Sequence, residues 1–291
     1  MTSTTQNKMT TINNNLIGFS GRKRSGKDTG GDYLIEKYGY IQYSFAGPLK
    51  RACQEIFMFT DEQTEGHDKE KYDDRWNISA RKVFQIFGTE MFRQKLGDFF
   101  PEMEHIKENF WIYRFEMWYK NLKETNPNAK VVVTDIRFPN EAEIVKKLGG
   151  RVIKVNRNTG MLVDGHSSEK NIDLIKGDIT IENNGTLEEY YQKVEKALGN
   201  DINKIDCLKA QICNEVKKIN NLINTEGQKR DEYRFCLYYN TVLSDCLGRD
   251  TDVPLYPEIL LRIITKIDSI KNEKTLEQVL DKLKCFRTMI F

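Results

Sequence analysis

The chain has 291 residues, 30% charged and 39% hydrophobic, with a formal net charge of +2. That length accommodates one large domain, or one domain with a smaller companion. The near-neutral balance and the lack of a Lys/Arg block give no case for direct nucleic-acid binding, and no run of about 18 apolar residues exists to span a membrane. Residues 1–13 are rich in Thr, Asn and Gln, lack the apolar centre of a signal peptide, and are expected to form a disordered tail. The six cysteines (Cys53, Cys207, Cys213, Cys236, Cys246 and Cys285) form no C-x-x-C pair, and with three His they argue against zinc. Reduced thiols and no secretion signal make the cytoplasm the expected compartment.

The first structured segment is the apolar run Leu16-Ile17-Gly18-Phe19, followed by Gly21-Arg22-Lys23-Arg24-Ser25-Gly26-Lys27-Asp28-Thr29. This reads as a strand, a Gly-bounded loop with G-x4-G-K spacing, and a helix over 27–38 that stops at Gly39. Glycines allow the tight turn that points successive N–H groups at phosphate oxygens. The helix N-terminus adds its positive end to the same anion, and Lys27 is placed to reach a transferred phosphoryl group. Asp28 stands where Ser or Thr usually supplies a magnesium-coordinating hydroxyl. It either accepts a hydrogen bond from the loop or reaches magnesium through water, and the sequence leaves both open.

A second strand is expected over 40–45 and a helix over 49–57, whereas the polar stretch 60–77 reads as an exposed loop. Ser79 is a cap for a helix carrying Val83, Phe84, Ile86, Phe87 and Met91. A longer helix over 104–123 follows, with Ile106, Phe110, Tyr113 and Met117 on one stripe. Residues 131–135 form a buried strand ending in Asp135. A helix over 140–148 closes on Gly149-Gly150. Strands at 151–155 and 179–181 and a helix at 187–198 complete the alternation, while 156–170 reads as a flap. Strands alternating with helices imply a parallel sheet with crossover helices. From 201 to 291 the pattern is helical throughout, with the boundary near residue 200. The fold class is therefore α/β with an all-α C-terminal appendage.

Phosphoryl transfer depends on cations and dipoles placed around the moving charge. Arg22, Arg24, Arg75, Arg81, Arg114, Arg137 and Arg157 are the arginine candidates. Arg137 stands out because it follows a buried strand, and parallel sheets bind ligands at the carboxyl ends of their strands. Asp135, on that strand, reads as a cap or ion-pair partner, or as a group orienting magnesium-bound water or the acceptor. Trp111 reads as core packing more readily than as a stacking platform. His166 on the polar flap reads as a solvated side chain.

The phosphate loop, Arg81-x3-Gln85-x-Phe87-Gly88-Thr89-Glu90, Trp111-Ile112, and Asp135-Ile136-Arg137-Phe138-Pro139-Asn140-Glu141 together resemble the bacteriophage-type deoxynucleoside monophosphate kinases. The resemblance covers about 170 residues and implies a P-loop nucleoside monophosphate kinase fold over 14–200, with 201–291 a helical domain of unassigned role. It implies transfer of the γ-phosphate of ATP to a deoxynucleoside monophosphate, with Mg²⁺, for DNA precursor synthesis. On that resemblance Gly21, Lys23, Arg24, Ser25, Gly26, Lys27, Asp28 and Thr29 hold ATP phosphates. Lys23, Ser44, Phe45, Arg81, Trp111, Asp135, Arg137, Glu141, Arg157 and Asn183 line the monophosphate site. Lys27, Asp135 and Arg137 are the expected catalytic groups, and Asp28 or Asp135 the routes to magnesium through water. The Lys- and Asn-rich character is compatible with a virus of AT-rich genome. Two alternatives share some of these features. The loop also resembles animal phosphomevalonate kinases, and the added helices suit an assembly protein with a relict kinase site, binding a protein partner or a second copy through 201–291.

Overall fold

The computed structural model describes residues 15–158, 171–199, 204–226, 229–248, 256 and 258–290. The expected tail over 1–13, residues 159–170 of the expected flap with His166, and residue 200 lie outside the described residues. The described chain divides into two units, one of residues 15–31 and 41–197, the other of 32–40 and 198 onward.

The first unit is built on five parallel strands in the order β2-β5-β1-β6-β7. β1 is Leu16–Ser20, β2 Ile41–Tyr43, β5 Val131–Ile136, β6 Arg151–Asn156 and β7 Ile179–Glu182. β1 is buried at every position, as befits the centre of a sheet covered on both faces. The helix α1, Lys27–Tyr38, follows β1 and ends at Gly39, whose φ of +69° is a left-handed stop suited to glycine. The helix α2, Gly47–Phe57, begins with Pro48 in its first turn, where a missing N–H costs no helical bond.

The stretch 60–77 is not an unstructured loop. Thr60 forms a reciprocal capping box with Gln63, which starts the short helix α3, Asp61–Thr64. A 3₁₀ turn at Asp68–Glu70 follows, and then the hairpin β3 (Tyr72–Asp73) and β4 (Ile78–Ser79). Polar composition hid these elements because side-chain hydrogen bonds to Asp73, rather than an apolar period, organise the segment. Arg75 Nη2 donates to Asp73 Oδ2 at 2.6 Å and Gln63 Nε2 to the same oxygen at 2.8 Å.

Ser79 Oγ accepts from the Lys82 N–H at 3.3 Å and opens α4, Ala80–Gln85. The helix then widens into a π-helix over Ile86–Gln94, before the short α5, Leu96–Phe99. The long helix over 104–123 is shorter at its start than its apolar stripe suggests. Pro101–Met103 and Lys107–Asn109 are 3₁₀ turns, and α6 runs Phe110–Thr125. α7, Pro139–Lys147, and α8, Leu187–Leu198, complete the unit. Its core joins the sheet residues Leu16, Val131, Val133 and Val152 to Phe45, Leu49, Trp111 and Phe115.

The second unit is helical, as expected: α9 (Lys204–Glu226), α10 (Lys229–Tyr238), α11 (Ser244–Leu247), α12 (Glu258–Ser269) and α13 (Glu273–Ile290). Ile212, Ile219, Phe235, Ile263, Leu276 and Leu283 build its core. Residues 32–40 belong to this unit. Asn214 Nδ2 donates to the Ile35 carbonyl at 2.7 Å and Gln211 Nε2 to the Lys37 carbonyl at 3.3 Å, satisfying carbonyls at the open end of α1.

Arg75, with the Gln63 amide, holds the Asp73 carboxyl far below its ordinary value of 3.8. Because the folded pKa is depressed, this contribution to stability is present above about pH 4 and is lost as the pH falls further. D73N is therefore expected to be less stable at pH 7 and to lack part of the wild-type loss of stability below about pH 4. Urea melts of both proteins at several pH values check this, and superimposable acid limbs would contradict it.

Candidate functional site

β1 delivers the chain to the carboxyl edge of the sheet, where the phosphate loop turns. Gly21 has a φ of +151° and Gly26 of +107°, and a Cβ on Gly21 would lie 2.3 Å from the Val155 carbonyl oxygen. Only glycine fits that approach. Arg24 is also left-handed, at φ +63°. Such alternation turns successive N–H groups toward one point, the geometry of an anion nest. Lys27 is buried, and its Nζ donates to the Arg22 carbonyl at 2.8 Å, so the ammonium is folded over the loop. Ser20 Oγ and Ser25 Oγ are buried without a hydrogen-bond partner. Buried hydroxyls without partners are costly unless a ligand supplies one.

Two residues brace the loop from the β7 side. Asn183 Nδ2 donates to the Ser25 carbonyl at 2.8 Å, and Tyr190 Oη donates to the Gly26 carbonyl at 2.8 Å. Both side chains are buried, and burial pushes the Tyr190 phenol up, keeping it a neutral donor. A Cβ at Gly26 would sit 2.4 Å from Asn183 Nδ2, so the glycine is required by the brace as well as by its φ. The family resemblance assigns Asn183 to the monophosphate site; in the structure it hydrogen-bonds the Ser25 carbonyl of the loop, and it is not among the residues lining the adjoining cavity. Tyr190 was not singled out, since one Tyr in an amphipathic helix reads as core.

That cavity, of about 780 Å³, opens beside Asp28 and the carboxyl end of β5. Seven cationic and four carboxylate side chains line it, with Ser44, Phe45, Trp111 and Trp118 among its walls. Asp135 holds one wall in place. Its Oδ1 accepts the Phe45 N–H at 2.9 Å, and its Oδ2 accepts the Ala46 N–H at 2.9 Å and the Ser44 hydroxyl at 2.6 Å. The β1–β5 register explains how Asp135 reaches that loop. Gly18 pairs with Val133 and Ser20 with Ile136, so β5 carries one residue more than β1 across this stretch. A bulge of this kind re-aims a side chain.

Another part of the wall is set by Glu141 and Arg93. Glu141 Oε2 accepts the N–H groups of Arg137 (2.8 Å) and Phe138 (3.1 Å), the backward half of a capping box at the start of α7. Its Oε1 pairs with Arg93, whose guanidinium lies 3.9 Å from the centre of the Phe138 ring. Burial raises the Glu141 carboxyl pKa, while the Arg93 charge and the two amides pull it down. Arg93 comes from the π-helix and was missed; in sequence it is one surface-type Arg among many. π-helices recur at functional sites, and this one also offers the Gly88 carbonyl to Trp111 Nε1 at 3.0 Å. Trp111 thus belongs to the core and to the cavity wall together.

Among the remaining candidates, Arg81, Arg114 and Arg137 line the cavity, with Arg114 Nη1 donating to the Tyr43 hydroxyl at 3.0 Å. Burial raises the Tyr43 phenol pKa and Arg114 opposes it. Arg22 pairs with Asp173 at 2.8 Å, and Arg75 belongs to the β3–β4 hairpin through Asp73. Lys23 and Arg81 meet one carboxylate, Glu70, at 3.2 and 3.4 Å. Arg24, Thr29 and Arg157 do not line the cavity: the first two lie on the loop and α1, and Arg157 is exposed just past β6. No group of three metal-ligating His, Cys, Asp or Glu occurs among the described residues. That does not conflict with magnesium, which takes one or two carboxylates and completes its shell with waters and phosphates. Asp28 at the cavity and the two serine hydroxyls without partners fit such an ion.

Breaking the Arg93–Glu141 pair should show its weight. R93M leaves a buried carboxylate without its cation, so we expect a loss of about 3–5 kcal/mol in unfolding free energy. Denaturant titration reads it, and a loss under about 1 kcal/mol would contradict a buried ionic brace.

The chain is similar in sequence to known proteins. The family model for deoxynucleotide monophosphate kinase matches residues 15–73 and 58–194. A protein of Acanthamoeba polyphaga mimivirus, provisionally named a deoxynucleotide monophosphate kinase, is 42% identical over 189 residues, covering 64% of this chain and 96% of its own. The deoxynucleotide monophosphate kinases of Escherichia phage RB69 and Enterobacteria phage T4 are 26% and 22% identical, each across 63% of this chain and 99% and 98% of theirs. A phosphate loop beside a cation-lined cavity, with a family match across both, makes this chain a member of the deoxynucleotide monophosphate kinase family.

Proposed function

We propose that the protein transfers the γ-phosphate of ATP to a deoxynucleoside monophosphate, giving the diphosphate used in DNA precursor synthesis. The observation that carries this reading is the position of Asp28 on the phosphate loop's helix, in the wall of the cavity that also holds Arg81 and Arg137. Donor and acceptor phosphates can therefore meet at one edge of the sheet. The viral relatives named above support a role in viral nucleotide supply.

In this reading the loop amides of 21–26 and the α1 N-terminus hold the donor phosphates. Lys27 Nζ leaves the Arg22 carbonyl for a phosphate oxygen, with Ser25 Oγ and Ser20 Oγ gaining partners in the same rearrangement. Arg81 and Arg137 receive the acceptor phosphate. Asp135 keeps the 44–46 loop in position, and Glu141 fixes the backbone from which Arg137 projects. Asp28, directly or through water, and the serine hydroxyls are the groups to hold Mg²⁺, which would supply charge neutralisation across the donor phosphates. Transfer is in line, so the catalytic burden falls on positioning and electrostatics rather than on a covalent intermediate.

Lys27→Ala is expected to lower kcat by about a hundredfold or more, the scale of losing one charge-stabilising donor. Turnover with ATP and magnesium across the four natural deoxynucleoside monophosphates checks both the variant and the activity. A wild type that phosphorylates none of them would overturn the reading. The same panel reads base preference, which rests on pocket contacts of about 1–3 kcal/mol each.

A further inference from the structure

The 3₁₀ turn Asp68–Glu70 brings two oppositely charged side chains to the site, and neither belongs to the phosphate loop or to the motifs that carry the family likeness. Glu70 bridges Lys23 of the loop and Arg81 of the cavity. Lys69 lines the cavity itself, with only 24% of its side chain exposed. Its carboxylate neighbour Glu65 lies 3.9 Å away and is already taken by Lys50 at 2.7 Å. Lys69 thus shares the cavity with charges of both signs, feeling Asp28 and Glu65 as well as Lys50 and Arg81.

We propose that Lys69 is a further catalytic residue, contacting the phosphoryl group as it passes from the phosphate loop to the monophosphate in the cavity. The proposal rests on the kinase reading above. In the step, the bond between the γ-phosphorus and the β,γ-bridging oxygen breaks, and a bond forms to an oxygen of the acceptor phosphate. The released electron pair stays on the nucleoside diphosphate leaving group. Lys69 neither gains nor loses a proton; its ammonium follows the charge.

Three features suit it to this work. A lysine is a compact charge on a flexible stem, able to track a moving group, whereas Arg81 and Arg137 offer planar forks for a resting phosphate. Partial burial and the nearby Lys50 and Arg81 charges lower the Lys69 pKa, opposed by Glu65 and Asp28. A lysine surrounded in that way gains from an incoming anion. Glu70, the adjacent residue, ties the turn to both Lys23 of the loop and Arg81 of the cavity, which anchors the segment that carries Lys69.

Steady-state kinetics of wild type, K69M and K69R with ATP, magnesium and the preferred deoxynucleoside monophosphate test this. For K69M we expect kcat to fall about a hundredfold, with both KM values within about threefold of wild type, the mark of an interaction made in the transition state. K69R should recover at least about tenfold of that loss, because it restores the charge. A K69M kcat within about threefold of wild type, or an effect confined to KM, would overturn the role while leaving the kinase reading intact. K69R as slow as K69M would also overturn it. An inactive wild type would instead overturn the kinase reading, and this proposal with it.

Discussion

Three hydrogen bonds converge on the carboxylate of Asp135, two from backbone amides and one from the Ser44 hydroxyl, and the cavity wall depends on them. β2 has only three residues, so its ladder with β5 ends at Tyr43. Past that point nothing in the sheet holds the chain on course to α2. Asp135, turned out of register by the bulge in β5, takes over where the ladder stops. A charged acceptor with several donors is stronger than a neutral bond, and it ties the 44–46 loop to the strand from which Arg137 follows. The sequence allows Asp135 to be a cap or ion-pair partner, or a group orienting magnesium-bound water or the acceptor; in the structure its oxygens accept from two backbone amides and the Ser44 hydroxyl.

The same logic repeats around the site with different chemistry. Glu141 binds the Arg137 and Phe138 amides and is held by Arg93 from the π-helix. Asn183 and Tyr190 bind the phosphate-loop carbonyls from the β7 side. The loop over 21–26 and the cavity wall therefore rest on separate sets of side chains. Pre-organised dipoles and charges of this kind cost no reorganisation at the moment of transfer. Lys27 differs from them: its ammonium donates to a backbone carbonyl of its own loop, that of Arg22.

The elements with an apolar period were legible in the sequence. β5, β6, α1, α7 and α8 lie within a residue or two of where their patterns put them, because burial on a sheet or along a helix stripe leaves a direct imprint. The 60–77 segment was not legible, since Asp73, Gln63 and Arg75 organise it by hydrogen bonds that any polar loop composition would also permit. The π-helix at 86–94 reads as ordinary helix, because its periodicity differs little over nine residues. The loop over 21–27 is marked in the sequence by its G-x4-G-K spacing, whereas its braces are not: Asn183 and Tyr190 are more than 150 residues away in sequence. The helical unit also includes residues 32–40, whose carbonyls at Ile35 and Lys37 accept from Asn214 and Gln211, and no local pattern in the sequence signals that grouping.

In the kinase reading the acceptor side of the cavity hangs on Asp135, whereas the loop that would hold ATP does not. Titration calorimetry of D135A, with ATP and separately with the deoxynucleoside monophosphate that wild type binds best, tests it most directly. We expect at least about tenfold weaker monophosphate binding, the scale of losing one or more charged hydrogen bonds, with ATP affinity unchanged within about threefold. Equal weakening toward both ligands, or unchanged monophosphate affinity, would contradict it.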